Sequence, residues 1–468
     1  MTPKIAVCPA LAILTSLERV TTLVPEVRRQ AAGPKLVLAT AFLGIFLLNL
    51  DSMAMNVALP SIGREFGGST AALQWVVDAY LLMFAALLLS AGALSDRVGA
   101  SRAFGAGVAV FTVASAACGL APGLGELIAA RLLQGGAAAV MLPSSLALVR
   151  QAFPDAARRA RAIALWTVGG ALAIAAGPVV GGVLSGTLGW RAIFFVNLPV
   201  GVATLVVLAR AGRSPRLVRP LDPLGQITAI VALVALTFGV IDGGEHGFGS
   251  PVVLGSLGLA AVAAVAFLLV ESRVAAPMVP LSLLRSRTVT LSVVIGFVVN
   301  AAFYGLVFVL SLHFHDVLGL SAEAAGLMFV PMTAVVAAAN LVSARVAARV
   351  GPRVPIAAGQ AICALALCAL LVGDPTAMPV IALLLVPVGF GLGLAVPSLT
   401  ALLMGEVAAD RAGMAAGVLN SFRQTGGALA VAVFGAVAGL RVALVVAVVM
   451  LVAATAAALL LPRRFTAD

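Results

Sequence analysis

A few ionisable side chains interrupt long apolar stretches of this sequence, and they are its main candidates for chemistry. Asp51 lies in the first stretch and Arg131 in the fourth. At 1.5 Å per helical residue, Asp51 lies roughly 13 Å and Arg131 roughly 9 Å from the same end of the molecule, which places them at a similar level. An ionised carboxylate in an apolar interior is expensive unless it is protonated, paired or hydrated. The pair therefore fits two roles: a carboxylate that loads and unloads a proton as the arginine moves, or a permanent ion pair that fastens two helices.

Four more polar residues in apolar stretches are candidates for lining a substrate cavity: Asp78, Gln134, Asn300 and Arg423. Asp78 is expected about one turn inside its helix. There it fits either a carboxylate at the cavity mouth that favours cationic substrates or a residue at a hydrated helix end. Arg423 is expected near the middle of a span, where a guanidinium needs a carboxylate, a carbonyl or substrate as its partner. Asn300 fits a substrate contact or a hydrogen bond between two helices.

The composition places the chain in a membrane. Hydrophobic residues make up 62% of the sequence and charged residues 10%, whereas soluble domains are about 45–50% apolar. The net charge of +11 does not indicate nucleic-acid binding, because the basic residues are spread over many short loops instead of forming one stripe. The four cysteines form no CxxC pair and have no histidine nearby, so neither a disulfide framework nor a zinc site is expected.

Apolar runs of about 20 residues are long enough to cross a bilayer as helices, and the sequence contains about fourteen of them. Most of the 29 lysines and arginines lie in the N-terminal tail, at the C-terminus or in every second loop. Basic residues collect on the cytoplasmic side, so this distribution predicts a multi-pass protein of the bacterial plasma membrane with both termini in the cytoplasm. The predicted spans are 36–60, 75–95, 103–122, 125–149, 162–185, 191–209, 223–241, 252–270, 288–311, 322–344, 354–373, 379–404, 412–438 and 440–461.

The segment from Gly92 to Gly99 joins the second and third spans and is more specified than a linker needs to be. Its two glycines would let backbones approach closely, while Asp96 is placed to cap or pair across the connection. Arg97 would hold the segment at the anionic inner leaflet. We therefore predict a conformational hinge formed by Gly92, Asp96, Arg97 and Gly99.

Two short repeats indicate that the chain has two related halves. The tripeptide Arg97–Gly99 recurs at Arg349–Gly351, and the pentapeptide Gly169–Ala173 recurs at Gly426–Ala430. In the second copy of the hinge, Ala348 replaces Asp96. The predicted organisation is a cytoplasmic tail (1–35), a six-helix bundle (36–209), a linker with inserted helices 7 and 8 (210–287), a second six-helix bundle (288–461) and a tail (462–468).

Several motifs, read together, resemble the major facilitator superfamily. The segment Gly92–Gly99 is similar to its GxLxDRxG loop. Further stretches are similar to segments of its fourteen-helix drug:proton antiporter-2 family: Leu50–Pro60 (LDxTxxNVALP), Arg131–Gly135 (RxxQG), Gly177–Gly182 (GPxxGG), Gly189–Gly201 (GWRxIFFxNxPxG) and Asn420–Gln424. The general likeness is to antibiotic exporters of the methylenomycin-resistance type.

The resemblance implies an all-α membrane fold of two six-helix bundles plus two inserted central helices, and transport by alternating access. It implies proton coupling through Asp51 and Arg131. It also implies an antiporter motif at Gly177, Pro178, Gly181 and Gly182, where a tightly packed span seals the cavity. Packing alone would equally account for these small residues.

No P-loop, soluble domain or paired nucleophile and base is visible, so ATP-driven transport and enzymatic activity are not expected. We expect proton-driven export of an apolar or amphipathic antibiotic, or of several drugs. The expected partners are the drug, protons and membrane lipids, with no cofactor, no metal and no nucleic acid, and the protein is expected to be a monomer. Export of a lipid or peptide by a flippase is the alternative. Uptake of a nutrient is less favoured, because the spans offer mostly Ala, Val, Leu and Gly.

Overall fold

The structure is a computed structural model that describes residues 33–211, 214, 222–274, 277–279, 281–374, 376–407, 412–436 and 439–462. Most of the predicted N-terminal tail (1–35), much of the central linker and nearly all of the predicted C-terminal tail (462–468) lie outside the described residues. The described part is helical, with short connections between its helices.

The first part of the chain forms seven helices, the last two of which together make one span. Pro199 separates these two because a proline nitrogen cannot donate to the carbonyl of Phe195, four residues earlier. The helices are α1 (Pro34–Phe66), α2 (Thr70–Val98), α3 (Ala100–Gly119), α4 (Leu124–Ala152), α5 (Ala156–Thr187), α6 (Arg191–Phe195) and α7 (Asn197–Ala209).

The remaining helices comprise a central pair and a second group of six. The central pair packs mainly against itself, and its first helix also contacts α2 and α14. The helices are α8 (Pro223–His246), α9 (Pro251–Arg273), α10 (Arg287–Asp316), α11 (Ala322–Val350), α12 (Arg353–Val372), α13 (Met378–Glu406), α14 (Ala412–Ala436) and α15 (Leu440–Ala458).

Thirteen stretches of the described chain are long and apolar enough to span a membrane, with α6 and α7 counted together. The helix outside that set is α14, which has 25 residues and is therefore long enough. It is less apolar because Asn420, Arg423 and Gln424 lie within it. The predicted span 412–438, the thirteenth in chain order, is thus present as a helix, and polar side chains lower its hydropathy.

Several helices extend beyond their predicted ends. The first was predicted as 36–60 and ends at Phe66, while the second was predicted as 75–95 and runs from Thr70 to Val98. The backbone hydrogen bonds of these helices continue past the apolar run into the polar residues at the helix ends. Each half also has a positive-φ glycine between its second and third helices: Gly99 with φ of 94° and Gly351 with φ of 82°. These glycines reverse the chain where a side chain would be strained.

Helix packing follows the same scheme in the two groups of helices. Helix α1 packs on α5, α2 on α4, and α3 on both α4 and α7. Correspondingly, α10 packs on α14, α11 on α13, and α12 on both α13 and α15. We call α1–α7 the first half and α10–α15 the second half. The halves meet mainly along two seams, α5 against α11 and α2 against α14.

Candidate functional site

The centre of the first half contains a buried ion pair between α1 and α4. Arg131 donates from Nη1 to Oδ2 of Asp51 at 2.7 Å, and both side chains are at most 1% exposed. The structure therefore brings together the two residues that their depth in the sequence had placed at one level. A charged pair this deep is tolerable only when the remaining polar atoms also have partners.

Two amide side chains complete the surroundings of the carboxylate. Gln134 donates from Nε2 to Oδ1 of Asp51 at 2.9 Å and accepts a bond from Arg131 at 2.8 Å. Asn197 donates to the same Oδ1 at 2.7 Å and to the hydroxyl of Ser115 at 3.0 Å. Asp51 thus accepts three donors from two other helices, which is the arrangement expected around an ionised carboxylate.

The guanidinium of Arg131 is also fixed from its other sides. Its Nε donates to the carbonyl of Val76 on α2 at 3.1 Å. The ring of Tyr80 lies over it at 4.4 Å, and that of Phe194 at 5.9 Å. Cation–π contacts of a desolvated guanidinium contribute about 2 kcal/mol. We call Asp51, Arg131, Gln134 and Asn197 the carboxylate cluster.

The sequence did not single out Asn197. It lies in the stretch Gly189–Gly201, and its signal in the sequence is the fixed asparagine of the GWRxIFFxNxPxG pattern. Gln134 was predicted as a cavity residue. In the structure it is fully buried and both ends of its amide are engaged within the cluster. Its contact with substrate stays a prediction.

Asp78 lies deeper than the sequence suggested. Since α2 begins at Thr70, Asp78 is more than two turns inside the helix, and its side chain is 0% exposed. Interpreting it as a residue at a hydrated helix end is therefore wrong. Neither carboxylate oxygen has a hydrogen-bond partner within the structure.

The second half has a smaller polar group between α10 and α14. Asn300 donates to the backbone carbonyl of Arg423 at 2.8 Å, and the guanidinium of Arg423 contacts the side-chain oxygens of Asn300 and Asn420 at 3.3 Å each. The Nε of Arg423 is buried and has no hydrogen-bond partner among the described residues. Asn300 therefore forms a hydrogen bond between two helices, and Arg423 is paired with amides instead of a carboxylate.

The predicted hinge is mostly helical. Gly92, Asp96 and Arg97 belong to the last two turns of α2, and the break in the chain is at Gly99. A side chain added at Gly92 would meet nothing within 4 Å, so the predicted close backbone approach at Gly92 is wrong. Gly99 is required for its positive φ. The predicted hinge is thus reduced to a single-residue break after a complete helix.

The GPxxGG stretch lies where α5 touches a helix on each side. A side chain added at Gly181 would lie 2.6 Å from the carbonyl oxygen of Ala54 on α1, and one added at Gly177 would overlap Met53. On the opposite side, a side chain at Gly182 would lie 2.8 Å from the carbonyl oxygen of Ala322 on α11.

Pro178 contributes to the same seam through its backbone. Its carbonyl oxygen leaves no room for a side chain at Gly326 of α11. The motif therefore packs α5 against its own half and against the other half at once. Among the described residues, no group of three or more His, Cys, Asp or Glu side chains is placed to hold a metal ion.

Comparisons with known proteins agree with this architecture. Residues 41–431 match the family model described as Major Facilitator Superfamily. The multidrug resistance protein Stp of Mycobacterium tuberculosis is 37% identical over 404 residues, which cover 86% of this chain and 75% of that protein. The methylenomycin A resistance protein of Streptomyces coelicolor is 35% identical over 400 residues, covering 84% and 83%. The tetracenomycin C resistance and export protein of Streptomyces glaucescens is 34% identical over 404 residues, covering 85% and 75%.

Solved structures share the fold at low sequence identity. The human organic anion transporter MFSD10 (TETRAN) superposes with a TM-score of 0.63 at 18% identity, covering 91% of this chain and 99% of that one. A D-xylose–proton symporter gives a TM-score of 0.65 at 13% identity, covering 92% and 99%. These likenesses bear on the fold alone.

Proposed function

Since the chain belongs to the Major Facilitator Superfamily of transporters, we propose that it exports an apolar or amphipathic antibiotic, or several drugs, in exchange for protons. The export direction and the class of substrate are supported by the relatives, which are named as resistance or export proteins for antibiotics and drugs. The protein acts in the bacterial plasma membrane as a monomer with both termini in the cytoplasm. The observation that carries the proton part is the buried carboxylate cluster around Asp51.

Asp51 is the proton carrier in this proposal. When ionised, it accepts hydrogen bonds from Arg131, Gln134 and Asn197. A proton on Asp51 removes its negative charge and turns one acceptor oxygen into a donor, so the attraction to Arg131 weakens. Because the three donors lie on α4 and α7, binding and release of the proton change how firmly α1 is held by its neighbours.

The membrane potential and the pH gradient supply the energy. One proton moving inward across 100 mV releases about 2.3 kcal/mol before any pH gradient is counted. For that energy to drive export, Asp51 must face the two sides of the membrane in turn. The close backbone contacts of α5 with α1 and α11 support a seal that prevents proton leak in one of the two states.

One end of the bundle is closed by a contact between the two halves. With the predicted orientation, Gly182 and Ala322 lie at the outer end, and their contact closes that end between the halves. We call this the predicted outer end. The two halves, each with six spans, rock about the substrate site, while α8 and α9 are the inserted pair between them.

An experiment in cells and liposomes tests the proposal. Cells that express the protein should accumulate less of at least one lipophilic antibiotic from a panel than cells with an empty vector, and a protonophore should abolish the difference. In proteoliposomes, Asp51→Asn should bind the drug but lose proton-driven transport, because the amide keeps the size of the side chain and does not titrate.

Glu126→Gln is the matched control, since Glu126 is an exposed acid on α4 outside the cluster. It should transport at the wild-type rate. If Asp51→Asn still moves protons on addition of drug, Asp51 is not the carrier. Export that continues with the protonophore present contradicts proton coupling. No change for any drug, together with movement of labelled lipid, favours the flippase.

A further inference from the structure

One face of α2 forms the seam with α14. Gln74, Asp78, Leu82 and Ala85 are spaced by four, four and three residues, so they lie along one side of the helix. Leu82 and Ala85 line a small apolar cleft together with residues of α8 and α14, among them Thr425. Asp78 therefore lies on the face that contacts the other half of the protein.

Hydrogen bonds close this seam on both sides of Asp78. One turn before it, the amide of Gln74 donates to the carbonyls of Val431 and Ala432 on α14, at 2.9 Å each. Two turns after it, the hydroxyl of Ser421 on α14 donates to the carbonyl of Ala85 at 2.8 Å. Asp78 is enclosed between these bonds, which explains its 0% exposure.

Within the part of the chain that the structure describes, no charged or donor group compensates the carboxylate of Asp78. Both of its oxygens are buried without a hydrogen-bond partner. Four ionisable groups on helices that pack against α2 have other partners: Arg131 bonds Asp51, Arg423 bonds Asn300 and Asn420, Asp242 bonds His246, and Glu245 accepts from Ser69. Glu126 and Arg150, near the two ends of α4, are exposed to solvent. An ionised carboxylate in such a position costs several kcal/mol. The closed seam is therefore compatible with a protonated Asp78 and strongly disfavours an ionised one.

We propose that Asp78 is a second protonation site that gates the α2–α14 seam: the seam closes at the predicted outer end only when Asp78 carries a proton. The site is distinct from the carboxylate cluster, because Asp51 keeps its three donors in the same structure. When α2 and α14 part, water reaches Asp78 and the proton leaves. The inference rests on the alternation between two open ends in the proposed function, and not on the identity of the drug.

The sign of the pH effect follows from this scheme. In the closed state Asp78 keeps its proton, whereas in the open state it is hydrated and loses the proton once the pH is high enough. The closed state then binds one more proton than the open state. In that range the ratio of open to closed molecules should rise about tenfold per pH unit, as for any equilibrium linked to one proton. Acidic conditions on the outer side should favour closure, and alkaline conditions should favour opening.

The test measures the opening directly, without any drug. Leu120 and Val317 are exposed residues at the predicted outer end, one in each half. Spin labels at these two positions, in a background with the native cysteines replaced, report their separation by pulsed electron resonance between pH 5 and 9. The wild type should gain a long-distance population as the pH rises. Asp78→Asn should stay closed throughout, because a neutral amide never ionises.

Two further variants keep the test decisive. Gln74→Leu removes both bonds to α14 and should shift the ratio towards open at every pH while keeping the wild-type slope. If Asp78→Asn does not fold, Asp78→Leu replaces it, since an apolar side chain suits the dry seam and does not titrate. An unchanged pH slope in the Asp78 variant overturns the proposal, and so does an opening that follows sodium or calcium concentration instead of pH. A wild type that opens with pH but exports no drug would leave this inference standing and overturn the proposed function.

Discussion

The two halves of the molecule share their packing but differ in what they bury. Gly135 of α4 lies against the carbonyl of Tyr80 on α2, and Gly389 of α13 lies against the carbonyl of Met332 on α11. When these two glycines are aligned, Leu385 stands where the first half has Arg131, and Val388 stands where it has Gln134. The second half thus repeats the scaffold with apolar residues at these two positions.

The same contrast extends to the acids. Asp51 and Asp78 are both buried in the first half, whereas no Asp or Glu is buried in the part of the second half that the structure describes. The polar group there consists of Arg423 with two amides. Both bundles are closely packed, while in the described part of the chain only the first buries carboxylates. We therefore expect changes in packing to cost the same in either half, and changes in charge to differ.

The largest difference is expected from removing the two arginines that lie within spans, the buried Arg131 and the half-buried Arg423. Arg131→Met leaves Asp51 as an uncompensated buried charge and should lower the free energy of unfolding by about 3–5 kcal/mol. Arg423→Met should cost about 1 kcal/mol, because its partners are neutral amides. Equilibrium unfolding of the purified protein in detergent measures both. Adding Asp51→Asn to Arg131→Met should recover most of the loss, and equal costs for the two arginines would remove the contrast between the halves.

Changing a closely packed glycine to alanine should instead lower the free energy of unfolding by a similar amount in either half. A methyl group at Gly181 would lie 2.6 Å from the carbonyl oxygen of Ala54, and one at Gly426 would overlap the carbonyl oxygen of Phe297. Each change to alanine should lower the free energy of unfolding by about 1–3 kcal/mol, as overpacking does. Gly255→Ala on α9 is the control. A side chain there meets nothing within 4 Å, so its helix should gain up to about 1 kcal/mol.

The connection between the second and third helices of each half offers a kinetic comparison. Asp96 precedes the first glycine break, and the exposed Ala348 precedes the second. Asp96→Asn should reduce turnover about tenfold, equivalent to roughly 1.4 kcal/mol in the barrier, with expression and drug binding retained. Transport in proteoliposomes measures the rate. Ala348→Asp should leave it within about twofold. Wild-type turnover in Asp96→Asn would reduce this connection to a signal for topology.

The smallest effect is expected from reporters of topology, which should not disturb the protein. A reporter fused after Gly247, between α8 and α9, should read outside, and one fused after Gly351, between α11 and α12, should read inside. Both positions lie in short connections. Alkaline phosphatase and fluorescent-protein fusions distinguish the two sides. A cytoplasmic reading at Gly247 would mean that α8 and α9 do not cross as a pair, and the two halves would then not share one orientation.

Most of the fold could be predicted because long apolar runs report membrane spans directly. What the runs could not report was where each helix ends. Helix α2 continues at both ends beyond its apolar run, and this misplaced Asp78 by more than a turn. The same extension turned most of the predicted hinge into helix. Hydrogen bonds within the backbone, which hydropathy does not measure, decide these ends.

The ion pair of the carboxylate cluster was predictable because few charged residues lie in apolar runs. Two of opposite charge at a similar depth in their spans are therefore natural partners. Asn197 was not, since an asparagine carries no charge that demands a partner, and its nearest sequence neighbours give no sign of α1. The isolation of Asp78 was also beyond the sequence. It depends on the other half of the chain closing over α2, through residues more than 300 positions away, such as Val431.

The polar character of α14 has a consequence for how the protein is made. Helices enter the membrane in chain order, and a helix with Arg423, Asn420 and Gln424 gains less from hydrocarbon than its neighbours do. Asn300 bonds both the backbone carbonyl and the guanidinium of Arg423, and it lies on α10, which is synthesised earlier. Helix α14 should therefore enter the bilayer against α10 already in place, so that a chain in which α10 fails to insert would leave α14 no favourable route into the membrane.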